Sequence, residues 1–269
     1  MKVRLLSLVL FSFLATKASA ASVDGIPLHS ASSGSGSKTV IFIHGWTCDD
    51  TTWKSQVPEI SKQYRVITMD LPGHGKSGSP KDGNFSMDLF ARAVEAVRAE
   101  AKADKVVLVG HSMGTPVVIQ YARLYPQHTA GLVFVDGMVR IPSGFSVNEQ
   151  QFAGPDGKKA RETMIRGMFS SATTPAMQTH ILSMMLGAPE QTATGAMKAM
   201  FQTFKSSDEP LMAPALGIYA DHSGAGGDQD YMKKVYPNLR YVEIPGTGHF
   251  LMLEKPAEFN RLLLDFLKH

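Results

Sequence analysis

The sequence predicts an α/β fold with a parallel sheet, and two observations carry that prediction. Short apolar runs rich in β-branched residues recur along the chain, and segments with helical spacing of apolar residues lie between them. Near-continuous apolar runs of this length are typical of strands buried on both faces of a parallel sheet. Strands that alternate with helices favour an α/β domain. The six predicted strands are 39–44, 65–70, 105–110, 132–136, 216–220 and 240–244.

Three of the segments between and after these strands have a clear helical pattern. Apolar residues recur at helical spacing over 85–103 and again over 117–125. A third pattern covers 256–267 and starts at Pro256, a residue that is well tolerated at the first helical position. These patterns predict helices that pack against the sheet.

The first 20 residues have the features of a signal peptide. Lys2 and Arg4 precede an apolar run over 5–15, which is too short to span a bilayer. Small residues at 18–20 form a cleavage pattern, so the mature chain is predicted to begin at Ala21. An uncleaved N-terminal anchor is the alternative. We therefore expect export, either to the periplasm or out of the cell.

The charge balance narrows the classes of partner that the protein could bind, and the cysteine count limits its covalent cross-links. The whole chain has 27 basic and 24 acidic residues, and three of the basic ones lie in the predicted signal peptide. The mature chain is thus balanced and shows no excess of charge for nucleic acid or an anionic membrane. No later apolar run has membrane-spanning length, so no stable membrane insertion is expected after cleavage. Cys48 is the single cysteine, which excludes an internal disulfide.

Residues 139–212, called the inserted segment below, break the alternation of strands and helices. They contain no convincing strand, and they are rich in methionine. Met197, Met200, Phe201 and Phe204 follow the i, i+3, i+4, i+7 spacing of one helical face. The sequence therefore predicts a few amphipathic helices between two strands of the sheet.

The stretch Gly110-His111-Ser112-Met113-Gly114 separates a predicted strand from a predicted helix. A G-x-S-x-G motif in this context places a serine on a sharp, strained turn, with small neighbours that reduce clashes. The alternative is an ordinary glycine-rich turn. The strand before it and the helix after it favour Ser112 as a nucleophile.

Five motifs together resemble the α/β-hydrolase superfamily, in particular its capped, esterase and lipase-like serine hydrolases. They are VIFIHGW (40–46), MDLPGHGKS (69–77), VVLVGHSMG (106–114), GLVFVDG (131–137) and IPGTGHF (244–250), in the family's order. The resemblance implies an α/β-hydrolase fold, with a mostly parallel central sheet, helices on both faces and an inserted helical cap. Residues 21–138 and 213–269 would form the core, and 139–212 the cap.

The same resemblance assigns roles to individual residues. Ser112 corresponds to the nucleophile and His249, which follows the last predicted strand, to the catalytic base. The backbone N–H groups of Trp46 and Met113 correspond to the oxyanion hole. The Trp46 indole has no part in that role and could line the pocket instead.

The acid of the triad has two candidates. In most of the family it follows the seventh strand in a G-x-x-D pattern, but here Ser223 occupies that position and Asp221 comes two residues earlier. A minority of the superfamily carries the acid after the sixth strand, where this chain has Asp136. We favour Asp136 and keep Asp221 as the alternative.

The predicted function is hydrolysis of a small-molecule carboxylic ester through an acyl-enzyme, with the methionine-rich cap providing an apolar acyl or alcohol pocket. No cofactor is implied, and no metal-ligand spacing is present. The oligomeric state stays open. A serine nucleophile disfavours dehalogenases and epoxide hydrolases. The alternatives are a cofactor-free perhydrolase, an amidase, an aminopeptidase or lyase, and a non-catalytic ligand-binding protein of this fold.

Overall fold

A seven-stranded sheet forms the centre of the molecule, and the computed structural model describes residues 21–141, 144, 146–221 and 229–269. The predicted signal peptide, 1–20, lies outside the described residues. The strands are β1 (Ser22–Val23), β2 (Ile26–Pro27), β3 (Ser30–Ser33), β4 (Thr39–Ile43), β5 (Arg65–Met69), β6 (Val106–His111), β7 (Thr129–Val135), β8 (Ala215–Ala220) and β9 (Leu239–Ile244).

Nine α-helices lie among the described residues. They are α1 (Val57–Ile60), α2 (Met87–Glu100), α3 (Gly114–Leu124), α4 (Gly157–Arg166), α5 (Pro175–Gly187), α6 (Glu190–Gln202), α7 (Gln229–Val235), α8 (Leu251–Glu254) and α9 (Pro256–Lys268). None of the helices in this part of the chain has both the length and the apolar character needed to cross a membrane.

The sheet confirms the predicted fold class. Its order is β3-β5-β4-β6-β7-β8-β9, and every neighbouring pair is parallel except β3 with β5. All six predicted strands are present, with ends that differ by up to three residues. The buried middle strands read as apolar runs because helices cover both faces. Strand β3 is Ser-Ala-Ser-Ser at the sheet edge, and its mostly exposed side chains provide no apolar signal from which to predict it.

The helix ends follow from local capping. Helix α2 is shorter than the predicted 85–103, because the Ser86 hydroxyl accepts a hydrogen bond from the Leu89 N–H at 3.0 Å and fixes its start. Lys102 has a φ of 54°, which the helix cannot continue through. Helix α3 starts three residues before the predicted 117, since the helix begins directly after the turn at Ser112.

The strand order reverses direction between β4 and β6. From β4 the chain moves to β5 on one side, and it then returns to β6 on the other side of β4. In open α/β sheets, ligands bind at the carboxyl ends of the strands near such a switch point. The loops that follow β4 and β6 contain Trp46 and Ser112, so the two predicted motifs meet at this crevice.

Helices α4, α5 and α6 occupy the inserted segment, and its described residues contain no strand. The segment is joined to the rest of the molecule by hydrogen bonds from the Trp46 indole to the Ala193 carbonyl at 2.8 Å and from the Thr192 hydroxyl to the Gly73 carbonyl at 2.7 Å. The division of the chain into core and cap at 139 and 212 remains a prediction.

Candidate active site

Ser112 lies at a strained corner between β6 and α3. Its φ is 53°, in the left-handed region that side chains other than glycine rarely adopt. A Cβ on Gly110 would overlap the Gly114 carbonyl, and a Cβ on Gly114 would overlap the carbonyl of Ile43. Both glycines are therefore required by close backbone approach. The Ser112 N–H donates to the Val135 carbonyl at 2.9 Å, which fixes the corner against the end of β7.

His249 and Asp136 form a hydrogen-bonded pair. Nδ1 of His249 lies 2.7 Å from Oδ2 of Asp136, whose side chain is 1% exposed. Oδ1 of Asp136 accepts a hydrogen bond from the Ala220 N–H at 3.0 Å, so the carboxylate is held from two sides. Because a carboxylate only accepts, Nδ1 carries the proton and Nε2 keeps a lone pair. This is the tautomer that a general base requires.

Asp221 lies near the same loop but contacts a different group. It follows the last residue of β8, and its Oδ2 accepts a hydrogen bond from the Gly246 N–H at 3.1 Å. No hydrogen bond or ion pair joins Asp221 to His249 in the described part of the chain. Ser223, at the family's usual acid position, lies outside it. The structure thus brings Asp136 to the imidazole and leaves Asp221 bracing the loop.

Ser112 Oγ has no hydrogen bond among the described residues, and none joins it to His249. The two residues are nevertheless linked through His111, the neighbour of Ser112. Its Nε2–H donates to the His249 carbonyl at 2.8 Å, and the two rings lie 4.7 Å apart. Catalytic hydrogen bonds are often long in a free enzyme and shorten when substrate binds.

The hydrogen bonding of the two proposed oxyanion donors suits their role. Neither the Trp46 N–H nor the Met113 N–H has an acceptor among the described residues, although both residues are buried. Met113 is the N-cap of α3, so the positive end of that helix dipole faces the same place. The Trp46 ring packs against Phe152 at 5.1 Å, which fixes its loop against the inserted segment.

Three buried histidines lie in the motifs, and burial keeps them neutral. Nε2 of His44 accepts from the Leu71 N–H at 3.0 Å, so its Nδ1–H donates to the Gly45 carbonyl at 2.8 Å. Burial lowers the pKa of His44. It lowers the pKa of His74 to about 3, with His44 adding to the effect. The pKa of His111 also falls to about 3, through burial and then through His249. All three rings hydrogen-bond to the backbone of loops.

Cys48 is buried, and burial raises its thiol pKa to about 12. A thiol that stays protonated is a poor nucleophile. Cys48 is therefore not a competing candidate for the nucleophile.

His29, Asp50 and Asp70 form a cluster that sequence reasoning missed, with polar atoms within 4.8 Å of one another. Asp70 is fully buried, and its two oxygens accept hydrogen bonds from the N–H groups of Asp50 and Lys76 at 2.7 and 2.8 Å. The carboxylate therefore ties together the loops that follow β4 and β5. In the sequence, the only indication of this structural role of Asp70 is its place in the motif at 69–77.

A cavity of about 440 Å³ opens beside the imidazole. Asp136 and His249 line it from the sheet side, and Met168 and Phe169 line it from the inserted segment. The half-buried apolar side chains of Met168 and Phe169 thus lie next to the polar pair of His249 and Asp136.

The chain is similar to known esterases and to other proteins. Residues 38–165 match a family model described as alpha/beta hydrolase fold. The dihydrolipoyllysine-residue acetyltransferase component of the acetoin cleaving system from Cupriavidus necator is 27% identical, over 92% of this chain and 68% of its own length. The pimeloyl-(acyl-carrier protein) methyl ester esterase from Edwardsiella ictaluri is 25% identical, over 87% of this chain and 94% of its own. A thermophilic esterase from Thermogutta terrifontis superposes with a TM-score of 0.84 at 28% identity, covering 93% and 96% of the two chains.

Proposed function

Because this chain belongs to the α/β-hydrolase superfamily, we propose that it is a serine hydrolase that cleaves carboxylic esters by way of an acyl-enzyme. The observation that carries the proposal is the pairing of His249 with Asp136 at 2.7 Å, on a loop that His111 ties to the strained corner at Ser112. Esterases among its relatives support the same reaction class.

In the acylation step, Ser112 Oγ attacks the ester carbonyl carbon while Nε2 of His249 takes the hydroxyl proton. The imidazolium that forms is stabilised by Asp136, which is buried and therefore acts in a low dielectric. His249 then gives the proton to the leaving alcohol as the carbon–oxygen bond breaks. The acyl group is left on Ser112 as an ester.

The negative charge that develops on the carbonyl oxygen needs donors that are already in place. In this proposal the N–H groups of Trp46 and Met113 provide them, because neither has another acceptor among the described residues. Removing one such donor typically lowers the rate by about 100- to 1,000-fold. Since both donors belong to the backbone, side-chain substitution does not remove them.

Deacylation repeats the chemistry with water as the nucleophile. His249 takes a proton from water, whose oxygen attacks the acyl carbon, and then returns the proton to Ser112 Oγ. The products are a carboxylic acid and the free serine. The cavity beside His249 opens next to the group that would activate this water.

The ester is proposed to carry an apolar acyl or alcohol group. Met168 and Phe169 line the cavity next to His249, and methionine adapts to apolar groups of different shape. An aminopeptidase would instead need free carboxylates of the inserted segment near the site. Glu162 pairs with Arg166 at 2.7 Å, and Glu190 accepts from the Gly154 N–H at 3.1 Å. Two of the four glutamates of the inserted segment are thus already paired, which disfavours the aminopeptidase alternative.

Export belongs to the same proposal. It rests on the basic, apolar and small-residue pattern of residues 1–20. Expression of the full chain in a bacterial host should give a protein outside the cytoplasm whose N-terminal residue is Ala21, as read by intact-mass measurement. A full-length chain retained in the cytoplasm would refute export without bearing on the hydrolase.

The hydrolase is tested with a series of p-nitrophenyl esters of increasing acyl length. We expect turnover by the wild type and a loss of more than about 1,000-fold in kcat for Ser112→Ala, because the nucleophile is absent. Turnover that survives the substitution would mean that the proposed site is wrong. A wild type inactive on every ester would favour the lyase or ligand-binding alternatives.

A further inference from the structure

The loop that carries His249 is held by its backbone at two consecutive N–H groups. The Gly248 N–H donates to Oε2 of Glu254 at 2.5 Å, and the His249 N–H donates to the Met168 carbonyl at 3.2 Å. Glu254 ends helix α8, a few residues further along the chain. Met168 belongs to the inserted segment. The hydrogen bond to Glu254 therefore stays within the segment that carries His249, whereas the hydrogen bond to Met168 joins that segment to the inserted segment.

Glu254 also reaches the inserted segment directly. The Thr173 hydroxyl donates to Oε1 of Glu254. One carboxylate oxygen of Glu254 therefore binds the inserted segment, and the other binds the loop that carries His249. Thr173 is buried, and its oxygen also accepts from the Ser170 N–H at 2.8 Å. Because every group is paired, the turn over 168–173 and the His249 loop are held in one relative position.

Steric contact reinforces this link. A Cβ placed on Gly248 would lie 2.8 Å from the Met168 carbonyl oxygen and 3.0 Å from the Ser170 Cβ. The two backbones are thus in direct contact, with no room for a side chain between them. A shift of the turn over 168–173 towards the loop would push against Gly248, and a shift away from it would break the hydrogen bonds that hold the His249 loop.

We propose that Glu254 and Thr173 form a latch that couples the seating of the inserted segment to the position of the His249 imidazole. Glu254 is a positioning residue, since it acts on the loop backbone and not on substrate. When the segment is seated, the latch holds His249 where Asp136 pairs with it at 2.7 Å. When the segment lifts, the loop loses Thr173 and Met168 together. This inference rests on the proposed hydrolase function.

The test compares two buried threonines of the inserted segment. Thr173→Val removes the latch hydroxyl and keeps the side-chain volume. Thr192→Val removes a hydroxyl that also binds the rest of the molecule, at the Gly73 carbonyl, but far along the chain from the His249 loop. We expect Thr173→Val to lower kcat by about 10- to 100-fold, the cost of a slightly misplaced catalytic group. KM should also rise, because Met168 and Phe169 of the same turn line the proposed pocket, but by a smaller factor than the fall in kcat. Thr192→Val should keep kcat.

Two further variants separate positioning from folding. Thr173→Ser restores the hydroxyl and should restore kcat, whereas Glu254→Ala removes both hydrogen bonds and should lose more than Thr173→Val. Thermal unfolding of each variant confirms that it is folded.

Either of two results would overturn the latch: wild-type kcat in a folded Thr173→Val protein, or an equal loss in Thr192→Val. Failure of the latch is distinguishable from failure of the proposed function. A wild type that hydrolyses esters while Thr173→Val is unchanged refutes the latch alone. A wild type that neither hydrolyses esters nor reacts with a fluorophosphonate refutes both.

Discussion

His249 Nδ1 lies 2.7 Å from Asp136 Oδ2, although 113 positions separate the two residues in the chain. Asp136 directly follows β7, and His249 lies beyond β9. Strand β8 lies between β7 and β9 in the sheet. The other carboxylate oxygen of Asp136 accepts a hydrogen bond from the N–H of Ala220, the last residue of β8. The backbone at Asp136 has a φ of 45°, which turns the side chain out of the strand direction.

The first prediction compares the two candidate acids. Asp136→Asn should lower kcat by as much as about 10,000-fold, because an amide favours the wrong imidazole tautomer and cannot stabilise the imidazolium. Asp221→Asn should cost no more than about tenfold, since Asp221 accepts a hydrogen bond from the Gly246 N–H and makes none with His249 among the described residues. Steady-state kinetics on one ester measures both. A larger loss from Asp221→Asn would move the acid to the end of β8.

The second prediction concerns the strain at Ser112. A φ of 53° raises the free energy of the folded state for a residue with a Cβ, whereas glycine adopts it without steric strain. Ser112→Gly should therefore be more stable than Ser112→Ala by about 1 kcal/mol, although both variants lack the nucleophile. Urea unfolding of the two proteins measures the difference, and Ser112→Ala is the matched control. A Ser112→Ala protein that is more stable than Ser112→Gly by the roughly 0.5–1 kcal/mol that chain entropy alone gives would show that the corner holds no strain.

The third prediction concerns pH. The folded-state pKa of His74 is about 3, below its ordinary value of 6.5. Between these values the unfolded chain binds a proton that the folded chain does not, so stability falls as the pH drops through this window. His74→Gln should reduce the slope of unfolding free energy against pH by about 1.4 kcal/mol per pH unit.

Urea unfolding between about pH 4 and pH 6 measures that slope. The wild type is the reference. Both proteins keep the contributions of His44 and His111, whose pKa values burial also lowers. Parallel lines for the two proteins would mean that His74 is protonated in the fold.

The fourth prediction separates the two N–H groups of Trp46. Trp46→Phe removes the indole hydrogen bond to Ala193 and should lower stability by about 1 kcal/mol. It keeps the backbone N–H, so kcat should fall far less than the roughly 100-fold that loss of an oxyanion donor costs. Chemical unfolding and kinetics on the same preparation measure both effects. A loss of kcat on the larger scale would give the indole itself a role in the reaction.

Much of the fold was predictable because its signals are local. Apolar runs predicted β4 to β9; β4 to β8 are mostly buried, and the edge strand β9 is only partly buried. Strand β3 was not predictable, because its Ser-rich edge position has no apolar pattern. The start of α2 at Met87 depends on the Ser86 cap, which a periodicity argument places only approximately.

The candidate site was predictable in part for the same reason. Ser112 and His249 belong to short motifs with a fixed local context. The choice between Asp136 and Asp221 was not local, because both follow adjacent parallel strands and end at the same edge of the sheet. Only the direction of each side chain separates them. The contact of Glu254 with Thr173 joins residues 81 positions apart and has no motif that announces it.

The central claim is that Ser112 is a nucleophile activated by His249, and covalent labelling tests it most directly. The full chain is incubated with a fluorophosphonate, digested and mapped by mass spectrometry. The account predicts one phosphonyl adduct, on Ser112, which is absent from Ser112→Ala and forms far more slowly in a His249→Ala variant. An adduct on another residue, or an unmodified Ser112 in a folded wild-type protein, would contradict it.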